Sequence, residues 1–146
     1  MNAKMLIAGV LGGLTFFLLG WLIYGIILAD SMEGGACMRA NDALLLHWIG
    51  IGNLFTGIAL SYAFSKMGSV TTFGSGAMTG GILGLLLVIG WHGLSYGTTT
   101  MMESPNFILM DAIIAAVMWA IAGGIVAWWL GRDGGARGKG AGGGDG

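Results

Sequence analysis

Charge is scarce in this chain. Asp, Glu, Lys and Arg make up 9% of its 146 residues, and the net charge is −1. A soluble globular domain carries about 25% charged residues, so water is a poor solvent for most of this surface. No basic field exists to hold a nucleic acid, because the few cations fall at the ends of apolar runs instead of forming a patch. The lone cysteine, Cys37, excludes an internal disulfide and any paired-thiol metal site. It sits in a glycine-rich stretch and reads as a loop thiol, with a ligand or intermolecular partner as the alternative. Phosphate-binding and dinucleotide-binding glycine loops are absent, as are serine-nucleophile and zinc-protease motifs. Nothing points to an enzyme, and the expectation is a non-catalytic protein.

What the chain has in abundance is apolar length, with 55% hydrophobic residues. Four runs stand out, at residues 6–29, 43–64, 76–96 and 106–130. Each exceeds the roughly 20 helical residues that cross a hydrocarbon layer about 30 Å thick. None has the polar face that a soluble bundle requires. The expected fold is all-α, a bundle of four transmembrane helices in one domain, residues 1–131. The first run is too long for the apolar region of a signal peptide, and no small-x-small cleavage site follows it. It reads as a retained helix. The tail, residues 132–146, is nearly all Gly, Ala and charge and is expected to be disordered on the cytoplasmic side.

Direction follows from the cations. Lys4, Lys66, Arg132, Arg137 and Lys139 fall on one side and Arg39 on the other. The positive-inside rule then puts both termini in the cytoplasm of a multi-pass protein of the inner (plasma) membrane. Aromatics mark the same limits. Trp21, Tyr24, Trp48, Trp91 and Tyr96 lie toward the outer interface, and Trp128 and Trp129 toward the inner one. Trp119 falls near mid-membrane, packed or facing lipid. Ser104 is a candidate N-cap for the fourth helix, with Pro105 suited to its first position.

Small residues recur at four-residue spacing, which returns to nearly one helix face. The fourth helix carries Ala112, Ala116, Ala120 and Gly124, with Gly123, Ala127 and Gly131 beside them. The third carries Gly76, Gly80 and Gly84. The second offers Asn53, Gly57, Ser61 and Ser65, and the first Gly9, Gly12 and Gly13. In lipid, close backbone packing over small residues takes the place of hydrophobic force between helices. These stripes serve packing within the bundle or an interface with another chain. A rhythm also repeats. Asn53, Gly57 and Tyr62 lie over Trp119, Gly123 and Trp128, which suggests two repeated helical hairpins with parallel halves.

The candidate site is a polar cluster toward the outer leaflet. Ionisable groups inside a membrane are costly and mark function by default. His47, His92 and Asp111 fall at similar depth on three helices, with Asn53 deeper. Asp111 lies two turns inside its helix, about 9 Å at 1.5 Å per residue. Four readings stay open. One is a His92–Asp111 hydrogen bond that ties two helices. Another is a water-accessible vestibule for a small solute or proton. A third is snorkelling without a special role. The last is a haem or metal held by His47 and His92, joined by Asp111. No HxxxH or CxxCH pattern accompanies them, and no cofactor is the prior expectation.

The segment Thr72-Phe73-Gly74-Ser75-Gly76-Ala77, then Gly80-Gly81-Ile82-Leu83-Gly84, Tyr96-Gly97-Thr98-Thr99, Asp111 and Ala122 through Trp128, resembles a group of small bacterial membrane proteins of uncharacterised function. The resemblance covers residues 66–131. It implies a four-helix inner-membrane fold in a bacterium and no particular activity. His92 and the long glycine tail depart from that pattern. The expected partners are the lipid bilayer and either further copies of the chain or other membrane subunits. The expected role is an oligomeric or accessory subunit of a membrane assembly. The alternatives are a small-solute, ion or proton transporter or channel, and a cofactor-binding electron-transfer subunit.

Overall fold

A computed structural model describes residues 2–29, 39, 43–100 and 105–132. Cys37, Ser104, the acids Asp30, Glu33, Asp42 and Glu103, and the glycine tail lie outside the described residues, as do the expectations placed on them. The described chain is all-α. Helix α1 spans Ala3–Leu22 and continues through one π-helical turn, Ile23–Ile27. Helices α2 (Leu46–Met67), α3 (Phe73–Thr98) and α4 (Pro105–Gly131) follow.

Local chemistry sets the ends. The Asn2 side chain caps α1 by accepting from the Met5 amide at 3.0 Å, which satisfies an amide that has no partner inside the helix. Helix α2 ends at Gly68, whose φ of 67° is left-handed and favours glycine. Helix α3 starts at Phe73, three residues before the expected boundary. Thr72 and Ser75 form a reciprocal capping box there, which satisfies the first-turn amides.

Three spans, Ala3–Ile27, Phe73–Thr98 and Asn106–Gly131, are long and apolar enough to cross a membrane. Helix α2 has 22 residues, enough for about 33 Å. His47, Asn53, Thr56, Ser61, Ser65 and Lys66 lower its mean hydropathy below that of the other three.

The three extensively packed helix pairs, α1–α2, α3–α4 and α1–α4, are antiparallel. Gly9 lies against Ile58 and Gly13 against Leu54, and Ser61 Oγ donates to the Met5 carbonyl at 2.8 Å. Between α3 and α4, Gly76 meets Gly123 and Gly81 meets Ala116 and Ala120. The α3–α4 interface is the most extensive, followed by α1–α2 and then α1–α4, with a slight α2–α4 contact. Helices α2 and α3 share no substantial interface, so the order across the molecule is α2, α1, α4, α3. The core forms where α1, α2 and α4 converge. Phe16, Leu60, Phe64, Met118, Ala122 and Val126 are buried there.

The two hairpins pack by the same device. Gly57 of α2 faces Gly9 and Gly13 of α1, and Gly123 of α4 faces Gly76 and Gly80 of α3. Gly76 and Gly80 follow Gly9 and Gly13 by 67 residues, and Gly123 follows Gly57 by 66. The neighbours match too: the Asn53 carbonyl lies at Gly13 and the Trp119 carbonyl at Gly80. At each of these points a Cβ would collide with backbone atoms of the facing helix, so only glycine permits the approach.

Candidate functional site

Helix α4 is central, touching α1 on one side and α3 on the other. Both of its small-residue stripes contribute to the contact with α3. Gly76 packs against Gly123 and Ala127, and Gly80 against Gly123 and the Trp119 backbone. Gly84 lies under the Trp119 ring, while Ala116 and Ala120 border Gly81. Ala112 is buried, and Gly124 is covered by the Phe73 ring. Trp119 itself stands edge-on to Phe16, with centroids 5.1 Å apart, and joins α1, α3 and α4.

Along the α1–α4 seam, Gly12 meets Val126, Gly20 approaches Met118, and the next residue in the row is Tyr24. Tyr24 sits in the π turn, where the Leu28 amide donates to the Ile23 carbonyl at 2.8 Å across five residues. Its hydroxyl donates to Asp111 Oδ1 at 2.5 Å. The second carboxylate oxygen, Oδ2, lies 2.6 Å from His92 Nε2. One carboxylate therefore ties α1, α3 and α4 together. The His92 and Asp111 side chains are only 14% and 13% exposed, and Phe107 covers the imidazole edge-on at 5.9 Å between centroids. Hydrogen bonds to a charged partner are short and about twice as strong as neutral ones. The carboxylate has each oxygen occupied, which offsets the cost of holding it away from water.

His92 Nδ1 is the exception. It is buried and has no hydrogen-bond partner among the described residues.

The structure brings His92 and Asp111 together and adds Tyr24, read in the sequence as an interfacial aromatic. A signal for it existed: Gly12, Phe16, Gly20 and Tyr24 form one four-residue row, and its outer end shares the depth of Asp111. His47 and Asn53 stand apart. The Asn53 amide donates to the Ile49 carbonyl of its own helix at 2.9 Å. His47 is exposed at the start of α2, with its ring 6.0 Å from that of Trp48. Because α2 does not pack on α3, neither residue joins the triad. A haem or metal bridging His47 and His92 finds no such juxtaposition among the described residues, and His92 Nε2 is committed to Asp111. Among those residues no three His, Cys, Asp or Glu side chains gather at metal-binding spacing.

The opposite end of the bundle is cationic and aromatic. Arg132 lies over Trp128 and Trp129, at 5.0 and 4.7 Å from the ring centroids, and Lys66 lies 5.6 Å from that of Tyr62. An open cavity of ≈ 250 Å³ is lined there by Asn2, Lys4, Met5, Phe64 and Leu130, among others.

No family model, curated protein or solved structure matches this chain. The chain is a small all-α protein whose long apolar helices fit a multi-pass place in a lipid bilayer.

Proposed function

We propose that this chain is a non-catalytic integral membrane protein of a bacterial inner membrane that crosses the bilayer four times and acts by assembling with copies of itself. Helix α2 is the fourth crossing. Its length matches the bilayer, its inner half is locked to α1, and its polar groups are absorbed: Ser61 by the Met5 carbonyl, Asn53 and Thr56 by carbonyls one turn back. Lys4, Lys66 and Arg132 gather at one end of the bundle, which supports a cytoplasmic position for both termini.

One observation carries the assembly reading: the repeated hairpins are used head to tail. By the offsets of 67 and 66 residues, α3 is the counterpart of α1, and α2 that of α4. The chain makes the α1–α4 interface but not its counterpart, α3–α2. The faces left over are apolar and bare. Leu87 and Trp91, counterparts of Gly20 and Tyr24, are 55% and 69% exposed. Gly52, the counterpart of Met118, has no neighbour where its Cβ would stand. A head-to-tail interface leaves one complementary face at each end, and further copies cover them in a ring or a row. Small residues serve in lipid where another helix approaches, and α3 also presents Gly90, Gly93 and Gly97 to open space.

Gly20 and Met118 supply the test. A Cβ on Gly20 would lie 3.7 Å from Met118 Cε, so their counterparts Leu87 and Gly52 should meet between copies. In a Cys37→Ser background, Leu87→Cys plus Gly52→Cys should give disulfide-linked ladders in native membranes, while each single variant stops at a dimer or below. Native mass measurement after gentle extraction should find more than one copy. A monomer by mass, with no ladder, refutes the proposal.

A further inference from the structure

We propose that the Tyr24–Asp111–His92 triad is a binding site for one proton, with His92 Nδ1 as the atom that takes it up and releases it. The reasoning is a count of hydrogens. Tyr24 donates its hydroxyl hydrogen to Asp111 Oδ1. With that bond fixed, three arrangements remain for Oδ2 and the imidazole. In the first, Asp111 is a carboxylate and His92 is neutral. Nε2–H then donates to Oδ2, Nδ1 is a bare lone pair, and the site carries one negative charge. In the second, Asp111 is a carboxylate and His92 is an imidazolium. Both ring nitrogens bear hydrogen and the site is neutral overall. In the third, the carboxyl is protonated at Oδ2 and donates to Nε2, which leaves the hydrogen of a neutral imidazole on Nδ1. The site is again neutral overall.

Both neutral arrangements put a hydrogen on Nδ1, and the charged one does not. The step that changes the charge of the site therefore passes through Nδ1. An uncompensated charge within a membrane is costly, whereas a neutral site leaves one N–H without a partner, a smaller penalty. These opposing costs let the site exist in two states. Among the described residues, the titratable groups that face the imidazole are Tyr24 from the π turn and Asp111 from α4. On α3 itself, Tyr96 lies one turn further on and is exposed. Helix α2, with His47 and Lys66 near its two ends, does not pack against α3.

The atom's geometry also gives the site a role in the bundle. Tyr24 belongs to the first hairpin and His92 and Asp111 to the second, so the proton sits in a tie between the two halves. A site with net charge and one without hold that tie with different strength. This inference does not depend on self-assembly, because all three side chains come from one chain.

The test uses the full chain in lipid nanodiscs, labelled with ¹⁵N-histidine. A His47→Asn substitution, at an exposed residue away from the triad, leaves His92 as the sole imidazole. Across a pH series, Nδ1 of His92 should pass in one step from the pyridine-like to the pyrrole-like chemical shift, and Nε2 should report which neutral arrangement results. Asp111→Asn keeps an acceptor for the Tyr24 hydroxyl and turns an NH2 donor toward Nε2, so the neutral imidazole holds its hydrogen on Nδ1. The step should vanish, with Nδ1 pyrrole-like throughout the series. A parent whose Nδ1 never gains a proton overturns the proposal. So does an Asp111→Asn form with the same step at the same pH. Should that form not fold, Tyr24→Phe takes its place. It removes one donor to the carboxylate and keeps the ring, so the step should be displaced along the pH series, and an unmoved step overturns the proposal equally.

Discussion

Gly13 is the point at which the packing argument is most exposed to measurement. A methyl group there would lie 2.7 Å from Leu54 Cα and 3.0 Å from the Asn53 carbonyl oxygen, both backbone atoms of α2. Ordinary van der Waals contact begins at 3.4 Å, so Gly13→Ala forces the helices apart by about 0.7 Å. A gap of that size forfeits a quarter to a half of the dispersion well of each displaced contact. About two turns away, the Ser61–Met5 hydrogen bond would stretch from 2.8 Å to about 3.5 Å, beyond the useful range for an O–H donor. Overpacking costs about 1–3 kcal/mol, and a lost interhelical hydrogen bond in a membrane adds about 0.6 kcal/mol. The gain from alanine's better helix propensity, about 1 kcal/mol, offsets part of this. The net expectation is a loss of about 1–2 kcal/mol. Gly20→Ala in the same helix is the control, because its methyl would meet only Met118 Cε, at an ordinary 3.7 Å. That variant should be neutral or up to about 1 kcal/mol more stable. Both values come from reversible unfolding in mixed detergent micelles, followed by helical circular dichroism. A Gly13→Ala protein as stable as Gly20→Ala would refute the glycine-mediated approach of α1 and α2.

Two further variants test other parts of the fold in the same assay. Trp119→Ala removes the ring that rests on Gly84 and stands against Phe16; the loss should be about 3 kcal/mol, at the low end for a large aromatic, and Trp119→Phe should recover most of it. Thr72→Ala removes half of the capping box of α3 and should cost about 1 kcal/mol, with Thr72→Ser nearly neutral because the hydroxyl is kept.

Much of the bundle is legible in residue spacing, because apolar length and small-residue period are properties of a single helix. The glycines of α3 are visible as a stripe, and they pack as a stripe must. What spacing does not reveal is which face meets which partner. Ala112, Ala116, Ala120 and Gly124 look like one contact surface, yet Gly123 and Ala127 take the closest approach to α3. Both rows are small because both meet α3, Gly123 and Ala127 at Gly76, and Ala116, Ala120 and Gly124 at Gly81 and Phe73. The polar cluster divides for a similar reason. Depth along the membrane can be counted from the chain, so His92 and Asp111 are recognisable as neighbours in height. Lateral position depends on the order α2, α1, α4, α3, and no local pattern encodes that order. His47 shares the depth but belongs to a helix on the far side of α1. Asn53 satisfies itself within its own helix, a choice open to any amide one turn from a carbonyl.

Tyr24 sits where spacing alone leaves a conflict in place. In an α-helix of 3.6 residues per turn, each step of four advances a row by about 40° around the axis. Over the three steps from Gly12, a straight helix would carry Tyr24 about 120° from the seam with α4. The contacts nevertheless stay on that seam: Gly12 with Val126, Phe16 with Trp119, Gly20 with Met118, Tyr24 with Asp111. Tyr24 is the second residue of the π turn Ile23–Ile27, so the irregular backbone and the triad meet at one residue. The turn forgoes regular hydrogen bonding at the outer end of α1, and Tyr24 reaches a carboxylate that would otherwise have one oxygen unpaired in the membrane.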